Sequence, residues 1–300
     1  MNSFPKLSFS EASIGIFYAL GAYLMWGFAP IYFKYLGFVP VDEILAHRVI
    51  WSVVVTGLLI TVLGGWSDVK EVCLSAKKLL LLLVTTLLIS SNWMVFIWAV
   101  NNDRMLEASL GYYINPLISV LLGMIFLKES LSRIRWIAVG FAFIGVLIQV
   151  FSLGALPWVS LVLPLTFAFY GLLRKKVKIE ALTGLFIETL IVAPIALYYL
   201  VLIADSEYSN MLDNSMSLNL WLMFAGIVTA SPLIFFGQAT LRLSLSTLGF
   251  FQYLAPSILF VFAVLVYGEE LTFEKAVTFL FIWSGIVLFV FEKQIRQKLK

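Results

Sequence analysis

Long apolar segments alternate with short polar ones along almost the whole chain. A helix that crosses roughly 30 Å of hydrocarbon needs about 20 mostly apolar residues. A window of that length finds ten candidate helices, at 14–33, 43–63, 79–100, 105–126, 134–151, 157–173, 181–203, 219–241, 246–266 and 276–292. Because a helix satisfies its own backbone hydrogen bonds in lipid, this pattern predicts an all-α integral membrane protein with ten transmembrane helices.

The composition excludes several other classes of protein. Of the 300 residues, 62% are hydrophobic and 12% are charged, which is more apolar surface than an aqueous domain of this length could bury. The net charge of +3 is too small to indicate a nucleic-acid partner. With one cysteine, Cys73, and one histidine, His47, we expect no disulfide, metal site or cofactor. Residues 1–13 show no cleavable signal pattern.

The basic residues are sorted between alternate loops. All but four of the 20 fall in segments that share one side of the membrane, and the four others are Lys34, Arg48, Arg104 and Lys275. Cytoplasmic loops are enriched in Lys and Arg, so we expect both termini to be cytoplasmic in a bacterial inner membrane. Arg174 is counted here as a cytoplasmic loop residue. A missed or extra helix would place basic loops on both sides of the membrane, so this sorting supports the count of ten spans.

The second half of the chain repeats the first at an offset of 140 residues. Residues that are identical at this offset include Ser91 and Ser231, Tyr113 and Tyr253, Pro116 and Pro256, Glu129 and Glu269, and Gly145 and Gly285. The same offset sets Arg48 in span two opposite Glu188 in span seven. Residues 1–152 and 153–300 are therefore predicted to be two five-helix repeats. An odd number of helices inverts the second repeat, and transporters built this way bind substrate between the halves near the midplane.

Sequence motifs in both halves resemble a known family. The segments "NPLISVLLGMIFLKESLSRIRWIAVGFAFIGV" and "APSILFVFAVLVYGEELTFEKAVTFLFIWSGI" resemble the EamA-type repeat of the drug/metabolite transporter (DMT) superfamily. Within it, "LMWGFAPIYFKYL", "EILAHRVIWS" and "SSNWMVFIWAVNNDRMLEASLGYYINPL" resemble the RarD group of chloramphenicol-sensitive permeases. The resemblance implies a ten-helix permease of a bacterial inner membrane. The second half departs from it, with Pro232 opposite Asn92 and Thr247 opposite Glu107.

Ionisable residues inside membrane spans are costly and are therefore candidates for function. Arg48 is predicted either to hold a substrate anion at the cavity, or to reach the outer headgroups or pair with Glu43 or Glu107. Glu107 is either an interfacial acid or the cavity partner of Arg48. Glu188 is predicted to line the cavity and couple transport to protons, the alternative being a hydrogen-bonded packing residue. His47 is predicted to be a hydrogen-bonding residue of the interface or cavity.

A softer set of amides and aromatic residues lies on spans three, four, eight and nine. Each one alone fits a helix–helix hydrogen bond or a packing ring, but together they fit a cavity wall that binds substrate. The set comprises Asn92, Trp93, Trp98, Tyr112, Tyr113, Asn115, Gln238, Gln252 and Tyr253.

Prolines and acids at repeat-related positions have structural explanations as well as functional ones. Pro116 and Pro256 free a backbone carbonyl and are predicted to be either static kinks or gating hinges. Glu129 and Glu269 lie just past spans four and nine, where they are expected to cap helix ends or close a gate.

These features predict a secondary transporter that moves a small metabolite or drug-like molecule by alternating access. Its cargo is expected to be anionic or amphipathic, with proton coupling and with efflux favoured over uptake. No phosphate-binding loop, H-E-x-x-H or G-x-S-x-G motif occurs, so an ATP-driven pump or an enzyme is not expected. A membrane receptor, a scaffold or an embedded enzyme stays an alternative. The expected partners are the lipid bilayer and a small-molecule substrate, with the chain a monomer or homodimer.

Overall fold

A computed structural model describes residues 10–102, 104–154, 157–266 and 271–298. Regular secondary structure in these ranges is entirely helical. The helices are α1 Glu11–Tyr35, α2 Val41–Leu63, α3 Trp66–Leu74, α4 Ala76–Asn101, α5 Met105–Leu127, α6 Arg133–Leu153, α7 Trp158–Val177, α8 Ala181–Leu202, α9 Met216–Arg242, α10 Leu245–Gln252, α11 Leu254–Leu265, α12 Phe273–Val290 and α13 Glu292–Lys298.

The predicted membrane spans correspond closely to these helices. Nine segments of the described residues are helices long and apolar enough to cross a membrane, and they include all the predicted spans except 157–173. That span coincides with α7, a helix of 20 residues. Its last turn carries Arg174, Lys175 and Lys176, which lower its average apolarity. The prediction of an all-α membrane protein is confirmed.

The ninth span is interrupted where the sequence predicted one continuous helix. It consists of α10 and α11, which meet at Tyr253. Pro256 has no N–H, so the carbonyl of Gln252 loses its usual partner four residues ahead. At the break, the N–H of Tyr253 donates to the carbonyl of Phe250, three residues earlier, at 3.3 Å. The repeat-related Pro116 lies inside α5, which is unbroken, so the two prolines have different local effects. Whether either is a gating hinge stays a prediction.

Helix starts recur at the offset seen in the sequence. Four pairs of helices begin 140 residues apart: α2 and α8, α4 and α9, α5 and α10, and α6 and α12. The first, third and fourth of these pairs pack directly against each other, while α1 packs on α9 as α7 packs on α4. This arrangement agrees with two related halves, although a domain boundary at residue 152 remains a prediction.

The backbones of α2 and α9 approach each other closely where the two helices cross. A methyl group added at Gly226 would come within 2.4 Å of the backbone carbon of Trp51. Only glycine permits this approach. It brings α2, and with it Arg48, against the middle of α9.

Candidate functional site

Arg48 lies seven residues into α2, about 10 Å along the helix axis from its first residue. Its Nε donates to Thr229 Oγ1 of α9 at 2.8 Å. Its guanidinium carbon is 5.2 Å from the ring centroid of Phe33 and 5.4 Å from that of Trp93. Among the described residues no carboxylate lies within 4.0 Å of the guanidinium, and its two Nη groups have no hydrogen-bond partner.

The two acids suggested as partners of Arg48 are bonded elsewhere. The carboxylate of Glu43 accepts from the hydroxyl of Ser206 at 2.7 Å. Glu107 forms an ion pair with Arg104, one turn before it on the same side of α5, at 3.2 Å. The predicted pairing of Arg48 with either acid is therefore wrong, because Glu43 is bonded to a residue that follows α8 and Glu107 to its neighbour at the start of α5.

Glu188 lies at the centre of a buried polar cluster. Its Oε1 accepts from Thr85 of α4 at 2.6 Å, and its Oε2 accepts from the hydroxyl of Tyr170 of α7 at 3.1 Å. Arg174 Nη1 lies 3.5 Å from Oε1, and the two side chains are only 4% and 2% exposed. This one carboxylate therefore joins α4, α7 and α8.

Arg174 is the residue that sequence reasoning misassigned. It was counted among loop cations, but it belongs to the last turn of α7 and points into the bundle. Its guanidinium occupies the space beside Gly184, where a Cβ atom would lie 1.8 Å from Nη1, and its Nη2 donates to the carbonyl of Ala181 at 3.1 Å. A run of three basic residues at a helix end is typical of a membrane boundary, and nothing in the sequence distinguishes the first of them.

A small cavity lies between α4, α7 and α8, beside this cluster. Its walls include Ser90, Trp93, Tyr170, Leu185, Glu188 and Thr189. Trp93 thus faces both the cavity and the guanidinium of Arg48. Thr85, which bonds Glu188, and Trp93, which contacts Arg48, are eight residues apart on α4, or about 12 Å. Arg48 and Glu188, the two repeat-related charges, therefore contact α4 at two different levels, on either side of Ser90.

Several predicted cavity residues make helix–helix contacts instead. The amide nitrogen of Asn92 donates to the carbonyl of Leu163 at 2.8 Å and to Thr166 Oγ1 at 2.9 Å, so it joins α4 to α7. Gln252 accepts from Ser119 at 3.4 Å, which joins α10 to α5. Both amides thus make the helix–helix hydrogen bonds that were the alternative interpretation, and substrate binding by them stays a prediction.

Two further members of the set lie toward helix ends. Gln238 donates to Glu180 at 2.8 Å and accepts from Arg242. Trp98 is 38% exposed and lies against Trp158, with ring centroids 5.0 Å apart, and against Arg104. Both therefore lie outside the cavity that contains Glu188.

The tyrosines of span four and span nine behave differently. Tyr253 is fully buried, and its hydroxyl donates to the backbone carbonyl of Tyr113 at 3.2 Å. This repeat-related pair joins α5 to α10. Tyr112 is 43% exposed, and its ring centroid lies 6.2 Å from that of Phe96. Asn115 is buried, and its Oδ1 has no partner among the described residues. Substrate binding by these residues stays a prediction.

His47 is 2% exposed, and neither ring nitrogen has a hydrogen-bond partner among the described residues. The hydrogen-bonding role predicted for it is therefore not found there. The ring is buried in the bundle, where no polar group of the described residues reaches its two nitrogens.

Glu129 caps a helix, as the sequence predicted. The backbone turns at Lys128, with φ of 54°, and the carboxylate then accepts from the N–H groups of Leu245 at 2.6 Å and Ser246 at 2.9 Å. These are the first two residues of α10, where a negative charge is favoured. The prediction for Glu269, like the loop placement of Lys6, falls outside the described residues.

Comparison with known proteins identifies the family. The model of the EamA-like transporter family matches residues 13–151. Protein RarD of Escherichia coli is 51% identical over 278 residues, covering 93% of this chain and 94% of that protein. The chain belongs to the RarD group of EamA-like transporters, within the DMT superfamily. It is a multi-pass membrane transporter.

Other relatives extend the likeness across nearly the full chain. An uncharacterized transporter of Vibrio cholerae is 54% identical over 93% of this chain and 92% of its own. The chloramphenicol-sensitive protein RarD of Pseudomonas aeruginosa is 32% identical over 91% of this chain and 92% of its own. A solved crystal structure superposes with a TM-score of 0.72 at 19% identity, over 93% of this chain and 98% of that chain. At that identity it shows the fold alone.

Proposed function

We propose that this transporter moves a small metabolite or drug-like anion by alternating access, with Arg48 binding the anionic group. In this mechanism residues 1–152 and 153–300 move as two halves about a site between α2, α4 and α9. The bilayer and the cargo are its partners, and no enzymatic step is involved. The cargo is proposed to carry one negative charge, because one guanidinium without a carboxylate partner among the described residues faces the site.

The observation that carries the proposal is the unpaired guanidinium of Arg48. An arginine within a membrane span costs about 3 kcal/mol even on insertion scales, so such residues normally have a partner. Here the Nε is fixed by Thr229, while the two Nη groups are not bonded to any described residue. A guanidinium oriented in this way can bind a carboxylate or phosphate in bidentate fashion. Phe33 and Trp93 on either side favour an apolar body attached to that anion.

Glu188 is proposed to couple this movement to protons. When its ion pair with Arg174 breaks, the carboxylate can take up a proton, and Thr85 and Tyr170 can then bond the neutral form. Proton uptake and release are therefore linked to a rearrangement of α7 against α8. We further propose efflux across a bacterial inner membrane with both termini in the cytoplasm.

The test is a flux assay with purified protein in proteoliposomes. A panel of metabolites and antibiotics, rich in aromatic carboxylates, is measured with and without a pH gradient and in both membrane orientations. We expect transport of at least one anion to be stimulated by the gradient. Arg48→Ala should weaken anion binding at least ten-fold, and Glu188→Gln should remove the stimulation by the gradient.

Matched controls are available for both substitutions. Arg104→Ala removes an arginine that is 45% exposed and paired with Glu107, and Glu71→Gln removes a carboxylate that is 70% exposed; neither should change transport. If anion binding is unweakened in Arg48→Ala, Arg48 is not in the site. If no compound moves, a receptor, scaffold or enzyme becomes the better explanation of the fold.

A further inference from the structure

The cavity beside Glu188 contains one hydroxyl that has no partner. Ser90 Oγ is buried and bonds to none of the described residues. A buried hydroxyl without a partner is unfavourable, so such a group normally meets a ligand or a water. The cavity that Ser90 faces has room for about one water-sized group. It can therefore hold a single polar substituent, and not a whole substrate.

The other polar groups of this cavity are already bonded. Both oxygens of Glu188 accept hydrogen bonds, and the hydroxyl of Tyr170 is one of the donors. Thr189 Oγ1 donates to the carbonyl of Leu185 at 2.9 Å. A cation would find no free carboxylate here, and an anion would lie beside the charge of Glu188. An uncharged group that hydrogen-bonds to Ser90 fits the cavity best.

Trp93 connects this cavity to Arg48. Its ring lies 5.4 Å from the guanidinium carbon of Arg48 and also forms part of the cavity wall. Ser90 is three residues before Trp93 on α4, about one turn away along the axis. A molecule whose anion is bound at Arg48 and whose apolar body lies along Trp93 would reach Ser90 about 8–10 Å from its charge.

We propose that Ser90 is a specificity-determining residue, which selects cargo monoanions that carry an uncharged hydroxyl or carbonyl about 8–10 Å from the charge. This inference rests on the proposed function, because it requires the anion to bind at Arg48. It adds a second, neutral subsite between α4, α7 and α8. It also defines the chemical class as an aromatic or similarly flat carboxylate with a polar group at its far end.

The test compares three probes that differ at one position: 4-hydroxycinnamate, cinnamate and 4-methylcinnamate. Binding to the full chain in lipid nanodiscs is measured by equilibrium dialysis. One neutral hydrogen bond predicts that wild-type protein binds the hydroxy compound about two- to ten-fold more tightly than the other two. In Ser90→Ala this difference should disappear, while the affinity for cinnamate stays the same. In the matched control Ser91→Ala the difference should remain.

The possible outcomes separate the two proposals. If Arg48→Ala weakens binding of all three probes equally and Ser90→Ala removes only the preference, both proposals stand. If Arg48→Ala weakens binding but Ser90→Ala leaves the preference intact, Ser90 meets a structural water only and the subsite is wrong. If the probes bind equally well to wild-type and Arg48→Ala protein, or do not bind to either, the anion site and the subsite are both wrong.

Discussion

Arg174 and Glu188 approach to 3.5 Å in the interior of the bundle, although one begins a basic run at the end of α7 and the other lies within α8. Their ion pair is closed to solvent and joins α7 to α8. Thr85 extends it to α4. The pair and Thr85 therefore link α4, α7 and α8, the three helices around the small cavity.

Removing one partner of this pair should destabilise the protein strongly. Glu188→Met leaves the guanidinium of Arg174 buried without a counter-charge, and Arg174→Met does the same to the carboxylate, which typically costs about 3–5 kcal/mol. Replacing both residues by methionine removes the two charges together and should cost clearly less than the sum of the single changes. Thermal unfolding of the four proteins in detergent measures this coupling. Additive losses would show that the two side chains do not stabilise each other.

Gly184 should tolerate no side chain, because a Cβ atom there would lie 1.8 Å from Arg174 Nη1. Gly184→Ala must displace the guanidinium from Glu188, and we expect a large fall in the midpoint of thermal unfolding. Gly140→Ala is the matched control, because no atom lies within 4 Å of the added methyl group. The idea fails if the two variants unfold at the same temperature.

Loss of the Glu129 carboxylate should loosen the start of α10. Glu129→Ala removes bonds to the N–H groups of Leu245 and Ser246, and a lost cap costs about 1 kcal/mol. Hydrogen exchange at these two amides should be faster by about five-fold or more, whereas exchange in α12 should not change. Unaltered protection of Leu245 and Ser246 would mean that the carboxylate is not their cap.

Thr229 should affect anion binding without touching the anion. Its Oγ1 accepts from Arg48 Nε and so orients the guanidinium. Thr229→Val keeps the shape of the side chain but removes this acceptor, and we expect KM for the transported anion to rise about three- to ten-fold with little change in kcat. Thr61→Val, on an exposed part of α2, is the control. An equal effect of both variants would contradict a positioning role for Thr229.

The contact of α13 with α6 should depend on pH. Glu292 accepts from Arg135 Nε at 2.7 Å. Burial alone would raise the pKa of Glu292, but hydrogen bonds from Ser132 and Arg135 and the charges of Arg135 and Arg296 lower it below its usual value. The contribution to stability is therefore complete above the ordinary carboxyl pKa and is lost as pH falls through the lowered value.

A spin label at Gln297 reports this contact. In the wild-type protein its mobility should increase only on acidification below the ordinary carboxyl range. In Glu292→Gln it should be mobile at every pH. If the mobility of the label in the otherwise wild-type protein does not change with pH, Glu292 does not hold α13 against α6.

The sequence predicted the helices well because hydrophobic segment length is a local property. Apart from the ninth, which is divided into α10 and α11, each predicted span coincides with one helix within a few residues, and four pairs of helix starts recur at the predicted offset. The break at Tyr253 was missed because a proline shows that a carbonyl is freed but not whether the helix bends or breaks. Pro116 and Pro256 give different results in equivalent positions.

Partnership between side chains was much harder to predict. The cost of a charge in a membrane singled out Arg48, but the two acids suggested as its partners are bonded to Arg104 and Ser206. Asn92 has an amide of the kind that can line a substrate cavity, but its nitrogen donates to α7 and so joins two helices. The partner of a side chain depends on the direction in which that side chain leaves its helix, and this direction relative to other helices cannot be read from the composition.

The sequence by itself determined the class of the protein, its helices and the two charges at repeat-related positions, because the need to bury apolar length acts on every segment separately. The tertiary structure alone decided which charge is paired. Packing of α7 against α8 gives Glu188 the guanidinium of Arg174, whereas the crossing of α2 and α9 leaves Arg48 beside two aromatic rings, with its Nη groups bonded to no described residue. Pairing follows from distances between helices far apart in the chain, and only the folded bundle sets those distances.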